Sequence, residues 1–373
     1  MRSRRRFMKY ACLLSGALAL AQRVGAEARE NAEITLAMPD EGEQHSRTWM
    51  AFVANDYIWS AQQIPEVKRN LALIARTIAK YEPVSMLVSP DDYAEAVALL
   101  GGLTTHPFPI TLVEFATDDL WLRDTGPVFV RGSDGQKYAV DFNFNGWGNK
   151  QEHQQDAQVA RVIARHSGVV REATELVLEG GCFEVDGHGT AIMTKSCILN
   201  PNRNPHLTQQ EVETELKALL GLRKIIWLDG VKGADITDGH TDFYARFIRP
   251  GSVVVSRENY REIADYQVTR DNIRRLRNST DADGNPLQVT VIDNPDEMNE
   301  HWGLEDFAAG YIGYYVCNNA VIMQSFGDPV ADRNARETLA RAYPGRTIEQ
   351  IRIDGIASGG GSIHCATQQE IAL

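Results

Sequence analysis

The sequence predicts an α/β domain assembled from a recurring strand–strand–helix–strand unit. Three observations carry this reading. Amphipathic helical stretches occur at five well-separated places, short β-rich runs lie between them, and the runs that follow the helices begin at similar intervals. With 373 residues, 43% of them hydrophobic, the chain can bury a large core, and no Pro/Gly/Ser-rich linker divides it into separate domains.

The first helix is the clearest, because Ile64, Val67, Leu71, Ile74 and Ile78 alternate steps of three and four and so share one face. A second helix is expected over residues 152–166. A third begins at Thr208, with Glu211 three residues on completing a capping box, and runs through Val212, Leu216 and Leu219. A fourth is expected near 261–277, with Ile273 and Leu276 facing inward. The fifth covers about 331–343 and stops at Pro344-Gly345. Residues 138–142, 191–194, 253–256 and 311–316 read as strands before a helix. Residues 110–115, 172–178, 224–228, 287–292 and 349–353 read as strands after one, starting 62, 52, 63 and 62 residues apart. Asp124 lies 14 residues after the start of its unit's last strand, and His240 and Cys365 each lie 16 after theirs. If the units surround one axis, loops at matching phases converge on a shared pocket.

Residues 1–26 differ from the rest. They hold Arg2, Arg4, Arg5, Arg6, Lys9 and Arg23 and no acid, then an apolar stretch too short to span a bilayer, then Val24-Gly25-Ala26. This order is that of an export signal, and Ser3-Arg4-Arg5-Arg6-Phe7-Met8-Lys9 reads as the twin-arginine type, which predicts a periplasmic protein spanning 27–373 as one catalytic domain. Without that segment 32 basic residues face 50 acidic ones, a net charge near −18. Such a field favours small cations and argues against a nucleic-acid partner. No run of 18 apolar residues exists, which excludes a polytopic membrane protein and predicts no membrane contact after signal removal. The composition leaves room for a homo-oligomer. Cys182, Cys197, Cys317 and Cys365 remain after cleavage, too few for a disulfide framework and without zinc-type spacing, so no metal is expected.

Four stretches carry chemistry. Gly359-Gly360-Gly361 precedes Ser362-Ile363-His364-Cys365, and a Cys held behind such a loop is either an inert buried thiol or an exposed nucleophile. In Thr237-Asp238-Gly239-His240-Thr241-Asp242, flanking carboxylates suit His240 for proton transfer. A structural His, or a partial metal site of His240 with Asp242, is the alternative. In Trp121-Leu122-Arg123-Asp124, Asp124 either pairs with Arg123 or binds a cation that Trp121 covers. Glu179, before Gly180-Gly181, is either a solvated strand end or part of a ligand pocket.

Together with Asp141-Phe142-Asn143-Phe144-Asn145-Gly146-Trp147-Gly148 and Asn200-Pro201-Asn202-Arg203-Asn204-Pro205-His206, these stretches resemble the agmatine deiminase family of the guanidine-modifying penteins, relatives of bacterial peptidylarginine deiminases. The resemblance implies a pentein α/β propeller of five pseudosymmetric ββαβ-type units around a central active site. It also implies hydrolysis of agmatine to N-carbamoylputrescine and ammonia without a cofactor. By motif, Cys365 is the nucleophile, His240 the acid/base, Asp124 and Asp242 the guanidinium-binding carboxylates, and Glu179 the support of His240. Trp121 lines the substrate channel, Gly360 belongs to the substrate-binding loop, and Asp118, with Asp119, is expected to meet the second cation of agmatine. Two positions depart from the family pattern. Pro39-Asp40-Glu41-Gly42 lacks the usual Trp, and Cys182 stands where a polar residue is usual. Deimination of arginine or peptidyl-arginine, amidinotransfer, and a non-enzymatic solute-binding role are the competing readings.

Overall fold

The computed structural model describes residues 34–298 and 307–373, and the expected export signal lies outside them. Among the described residues five separate β-sheets share one three-strand pattern, an antiparallel pair followed by a parallel strand that is reached through a helix. In the second of these in chain order, Val128–Gly132 pairs antiparallel with Lys137–Asp141, and the helix Val159–Ser167 leads to Val170–Ala173. Phe183–Val185, Thr190–Thr194 and Lys224–Leu228 repeat the pattern through the helix Gln209–Leu220. Ala245–Arg249, Ser252–Arg257 and Gln288–Asp293 do so through Asp265–Arg277. Tyr315–Cys317, Ala320–Gln324 and Thr347–Ile351 do so through Pro329–Ala342.

The remaining sheet joins the two ends of the described chain. His45–Phe52 pairs antiparallel with the last strand, Gln368–Ile371, and parallel with Val84–Val88 across the helix Ile64–Ile78. That helix buries Val67, Leu71, Ile74 and Ile78 as its stripe requires, each contributing about 1.5–3 kcal/mol of apolar burial. Pro65 sits in its first turn, where a missing N–H costs nothing. The Thr208–Glu211 capping box forms as expected.

Several expected boundaries move. In the first unit the strand that completes the repeat is Val84–Val88, and Ile110–Glu114 is an added fourth strand reached through the helix Tyr93–Leu100. Asp124 therefore follows an extra strand rather than the last strand of the repeat. The aromatic run from 311 supplies only Tyr315–Cys317, whereas Ala320–Gln324 is the central strand that pairs with Thr347–Ile351. Tyr311 and Tyr314 are buried, but their hydroxyls bond to Asp332 and Tyr343. The strand expected over 172–178 ends at Ala173, because the Thr174 hydroxyl accepts from Leu176 N–H and turns the chain. The helices expected from 152 and 261 begin only at Val159 and Asp265.

Glu370 locks the terminal strand in place. Its buried carboxylate accepts from Trp49 Nε1 at 2.8 Å, Ser167 Oγ at 2.8 Å and Lys137 Nζ at 2.6 Å. Burial alone would raise its pKa, but the Lys137 and Trp49 hydrogen bonds outweigh it and hold the carboxyl below its ordinary value. A folded value below the unfolded one contributes stability that is complete above about pH 4.3 and is lost as pH falls through the depressed value. Glu370→Gln is expected to lose about 3 kcal/mol in urea unfolding at pH 7. Its deficit against the wild type should shrink as pH is lowered below about 4.3, and a pH-independent deficit would contradict the ionic role.

Candidate active site

The loops that follow the parallel strands bring Asp124, Glu179, His240, Asp242 and Cys365 together, all of them buried. Asp124 sits on the one-turn helix Leu122–Thr125. Its Oδ2 accepts from Trp147 Nε1 at 2.9 Å and its Oδ1 from the Gly181 N–H at 3.2 Å. Arg123 does not pair with it. The Arg123 guanidinium donates instead to Gln368 and Gln369, both at 2.7 Å, and to Glu41 at 3.3 Å, while the Arg123 backbone N–H donates to the Cys365 carbonyl at 3.0 Å. Burial pushes Asp124 up to about 6, with the charge of His240 opposing that rise and those of Asp242 and Glu179 adding to it.

Asp242 is the middle residue of the turn Thr241–Phe243, and its Oδ2 lies 2.7 Å from His364 Nδ1. Its Oδ1 is buried and has no hydrogen-bond partner among the described residues. A buried carboxylate oxygen left unpaired is costly, and here it shares a cleft with a second carboxylate and a thiol. Cys365 lies close enough to both acids that, after burial, their charges are the main cause of its thiol being raised to about 12. Its Sγ is 3.3 Å from Ser362 Oγ.

His240 spans the site. Its Nδ1 faces Asp124 Oδ1 at 3.7 Å and Asp242 Oδ1 at 4.0 Å, and its Nε2 meets Glu179 Oε2 at 3.1 Å. Burial opposes charge on the imidazole, but Asp124, Cys197 and Glu179 outweigh it and hold its pKa well above the ordinary value. Glu179 is no solvated strand end. It is fully buried and accepts from Arg203 Nε at 3.0 and 3.1 Å. Burial raises its pKa, yet the hydrogen bond from His240 and the charge of Arg203 win and bring it down to about 2. Gly181 is required here, because a Cβ would lie 2.5 Å from His240 Nδ1.

The glycine loop shapes the wall beside the thiol. A Cβ at Gly359 would fall 2.0 Å from the Trp59 ring and one at Gly361 2.1 Å from Trp121, while Gly360 adopts φ +86°. Trp59 and Trp121 therefore pack against bare backbone, their ring centroids 6.1 Å apart. Both indole N–H groups donate to Asp119 at 2.9 Å. Asp119 also accepts from Gln151 and Leu120, so it serves the tryptophans and leaves no oxygen for a substrate cation, contrary to expectation. Asp118 lines an open depression of about 310 Å³ with Tyr57, Glu152, Gln154 and Gln155. Its carboxylate accepts from the Gln155 and Asp156 N–H groups and from Tyr57 Oη.

The partners of six further residues escape sequence reasoning. Glu41 joins Arg246, Arg123 and His364, at 3.0, 3.3 and 2.8 Å. His364 thus bridges Glu41 and Asp242 from the position before Cys365. Trp147 and Arg203 lie in stretches quoted above for resemblance alone, and only the long-range fold reveals what they touch. Finally, Cys182 and Cys197 place their sulfurs 3.1 Å apart beside Glu179. Donor atoms of Glu179, Cys182, Cys197 and His240 all fall within 4.8 Å of one another. The expectation of no metal rested on spacing along the chain, which is blind to ligands arriving from separate loops.

Residues 37–370 match the Porphyromonas-type peptidyl-arginine deiminase family, and the chain belongs to it. It is 36% identical over 357 residues to the agmatine deiminase of Pseudomonas aeruginosa (strain LESB58), covering 90% of this chain and 95% of that relative. Among solved structures it is similar to the agmatine deiminase of Enterococcus faecalis, at 30% identity and a TM-score of 0.81, over 90% of this chain and 96% of that one. The C. jejuni agmatine deiminase with substrate bound shares the fold at 21% identity and a TM-score of 0.79, over 91% and 97% of the two chains. The fold is the α/β pentein fold of these deiminases.

Gly361→Ala is expected to push Trp121 out of place and to lower kcat/KM by about 100-fold, the cost of a misplacement near 1 Å. Steady-state kinetics read beside a thermal melt check this, and unchanged kinetics would show that the Trp121 position is immaterial.

Proposed function

We propose that this chain is an agmatine deiminase, which hydrolyses agmatine to N-carbamoylputrescine and ammonia through a covalent intermediate on Cys365. The observation that carries the proposal is the unpartnered Asp242 Oδ1, buried beside Asp124 and Cys365. Planar guanidinium N–H groups are the donors that two such carboxylates match, and their charge offsets the burial that raises Asp124.

The cation also answers the raised thiol. Bound between the acids, it cancels the charges that disfavour thiolate, so Cys365 releases its proton to solvent and is activated as substrate arrives. The sulfur attacks the guanidinium carbon, and a tetrahedral adduct forms. The C–N bond to the terminal nitrogen then breaks as His240 donates the proton that turns it into ammonia. Water attacks the resulting amidino-thioether, giving its proton to His240. The C–S bond breaks, the electron pair returns to Cys365 together with the remaining hydroxyl proton of the adduct, and the ureido product leaves. Nδ1 is the nitrogen that faces the acids, while Glu179 holds Nε2 and, itself fixed by Arg203, keeps the ring aimed.

Agmatine is preferred over arginine because an α-carboxylate needs a cationic partner. Arg123, Arg203 and Arg246, the buried arginines bonded into this network, are each engaged by acids, Glu41, Glu179 and Glu184 among them. The identity to agmatine deiminases over most of the chain favours the same substrate. The distal ammonium is assigned to the acidic depression that holds Asp118 and Glu152, with Trp121 along the channel and Gly360 in the loop beside it. The five sheets of like strand pattern are arranged as a fivefold pseudosymmetric propeller with this site at its axis. The repeated order and the convergence of loops on one cleft support that arrangement. Residues 1–26 direct export to the periplasm, on the strength of their basic, apolar and small-residue order.

Ammonia and ureido product should appear with agmatine and be far weaker with arginine and an arginyl peptide. Cys365→Ala should abolish turnover, and a near-normal rate for it would refute the nucleophile. Asp118→Asn is expected to raise the agmatine KM by about tenfold with kcat little changed, the pattern of lost uniform binding. An unchanged KM would remove Asp118 from the substrate site.

A further inference from the structure

Behind His240, on the side away from the substrate cleft, lies a group of donors that the deimination chemistry does not require. Cys182 ends the turn Gly180–Cys182, Cys197 sits on the one-turn helix Lys195–Ile198, and both are free and buried. Cys182 Sγ is 2.9 Å from Glu179 Oε2 and 3.1 Å from Cys197 Sγ. Cys197 Sγ is 3.7 Å and His240 Nε2 3.1 Å from the same carboxylate oxygen. Around a tetrahedral zinc ion, ligand atoms of these types stand about 3.3–3.8 Å apart. The 3.1 Å sulfur–sulfur and 2.9 Å sulfur–oxygen separations must therefore open by about 0.6 Å, within a group whose donor atoms already all lie within 4.8 Å of one another, to enclose one.

We propose that Glu179, Cys182, Cys197 and His240 form an inhibitory site for a thiophilic divalent cation of the zinc or cadmium class. Two sulfurs, an imidazole nitrogen and one carboxylate oxygen select such ions over magnesium or calcium. Charge supports the assignment as well as geometry. Two thiolates and Glu179 carry three negative charges, which the dication and the Arg203 guanidinium balance. Arg203 stays on Glu179 Oε1 at 3.0 Å while Oε2 turns to the ion, the outer hydrogen bond that orients a ligating carboxylate.

Binding forms two metal–sulfur bonds, one metal–nitrogen and one metal–oxygen bond. The two thiol protons and the proton on His240 Nε2 leave to solvent. His240 then loses its Glu179 partner and is pinned through Nε2, so it can no longer carry protons at Nδ1. This loss of activity rests on the acid/base role given to His240 above, whereas binding itself does not.

The test separates the two. Pre-reduced Cys365→Ala protein, which cannot use its nucleophile as a ligand, is titrated with Co2+. Sulfur-to-cobalt charge-transfer absorption saturating at one equivalent is expected, and it should vanish when Cys182→Ser and Cys197→Ser are added together. No such absorption, or absorption that survives both substitutions, would overturn the site. In the otherwise wild-type enzyme, Zn2+ should stop turnover and a chelator restore it. Cys182→Ser, whose hydroxyl can still donate to Glu179, should turn over without zinc and resist it at least as strongly as the ~100-fold reached by losing an outer-shell partner. Zinc bound at this site without slowing turnover would sink the His240 assignment and leave the metal site standing.

Discussion

The structure is organised around keeping two buried carboxylates negative without giving them an arginine. Asp124 and Asp242 are both nearly inaccessible to solvent, and each ion costs several kcal/mol to bury. Neutral donors carry part of that cost at Asp124, where Trp147 Nε1 and the Gly181 N–H bond the carboxylate. The histidines carry more, His364 against Asp242 and His240 between the two acids. What remains is one unpartnered oxygen facing a thiol, a site that a planar cation completes.

The nearby guanidinium groups would destroy this selectivity if they reached the cleft, and the fold withholds them. Glu41 takes Arg246 and Arg123, and Glu179 takes Arg203. Glu41 also holds His364 and the Val316 N–H, so one residue near the start of the described chain ties the loop that carries the thiol to a distant strand. The terminal strand closes the same circuit through Glu370 and the pairing with His45–Phe52. Position of the Cys365 thiol and negativity of the cleft are thus two results of one network.

Much of this was readable from local patterns. The helical stripe at Ile64–Ile78, the capping box at Thr208 and the strand Lys224–Leu228 follow from periodicity and side-chain chemistry within a few residues. The triple glycine announced a loop with unusual backbone demands, though not which rings would press on it. Local pattern misled where an element's role depends on its partners. Val84–Val88 is buried on both faces and so shows no alternation, and the aromatic run before Tyr315 imitates a strand that lies further on. Glu41, Arg203 and Trp147 act through residues far away in the chain, and Cys182 meets Cys197 fifteen residues on. No spacing rule marks such contacts. Asp119 shows the converse error, since adjacency to Asp118 suggested a shared cation site while the folded chain spends its oxygens on two indoles.

The central claim concerns charge in the cleft, so binding without turnover tests it most directly. Agmatine is titrated calorimetrically into Cys365→Ala protein and into the same protein carrying Asp242→Asn. Removing the carboxylate that faces the guanidinium should weaken affinity by about 100-fold or more, the loss of one partner from a buried charged pair. Equal affinity in the two proteins would mean that the unpartnered oxygen does not hold the cation, and the account would fail with it.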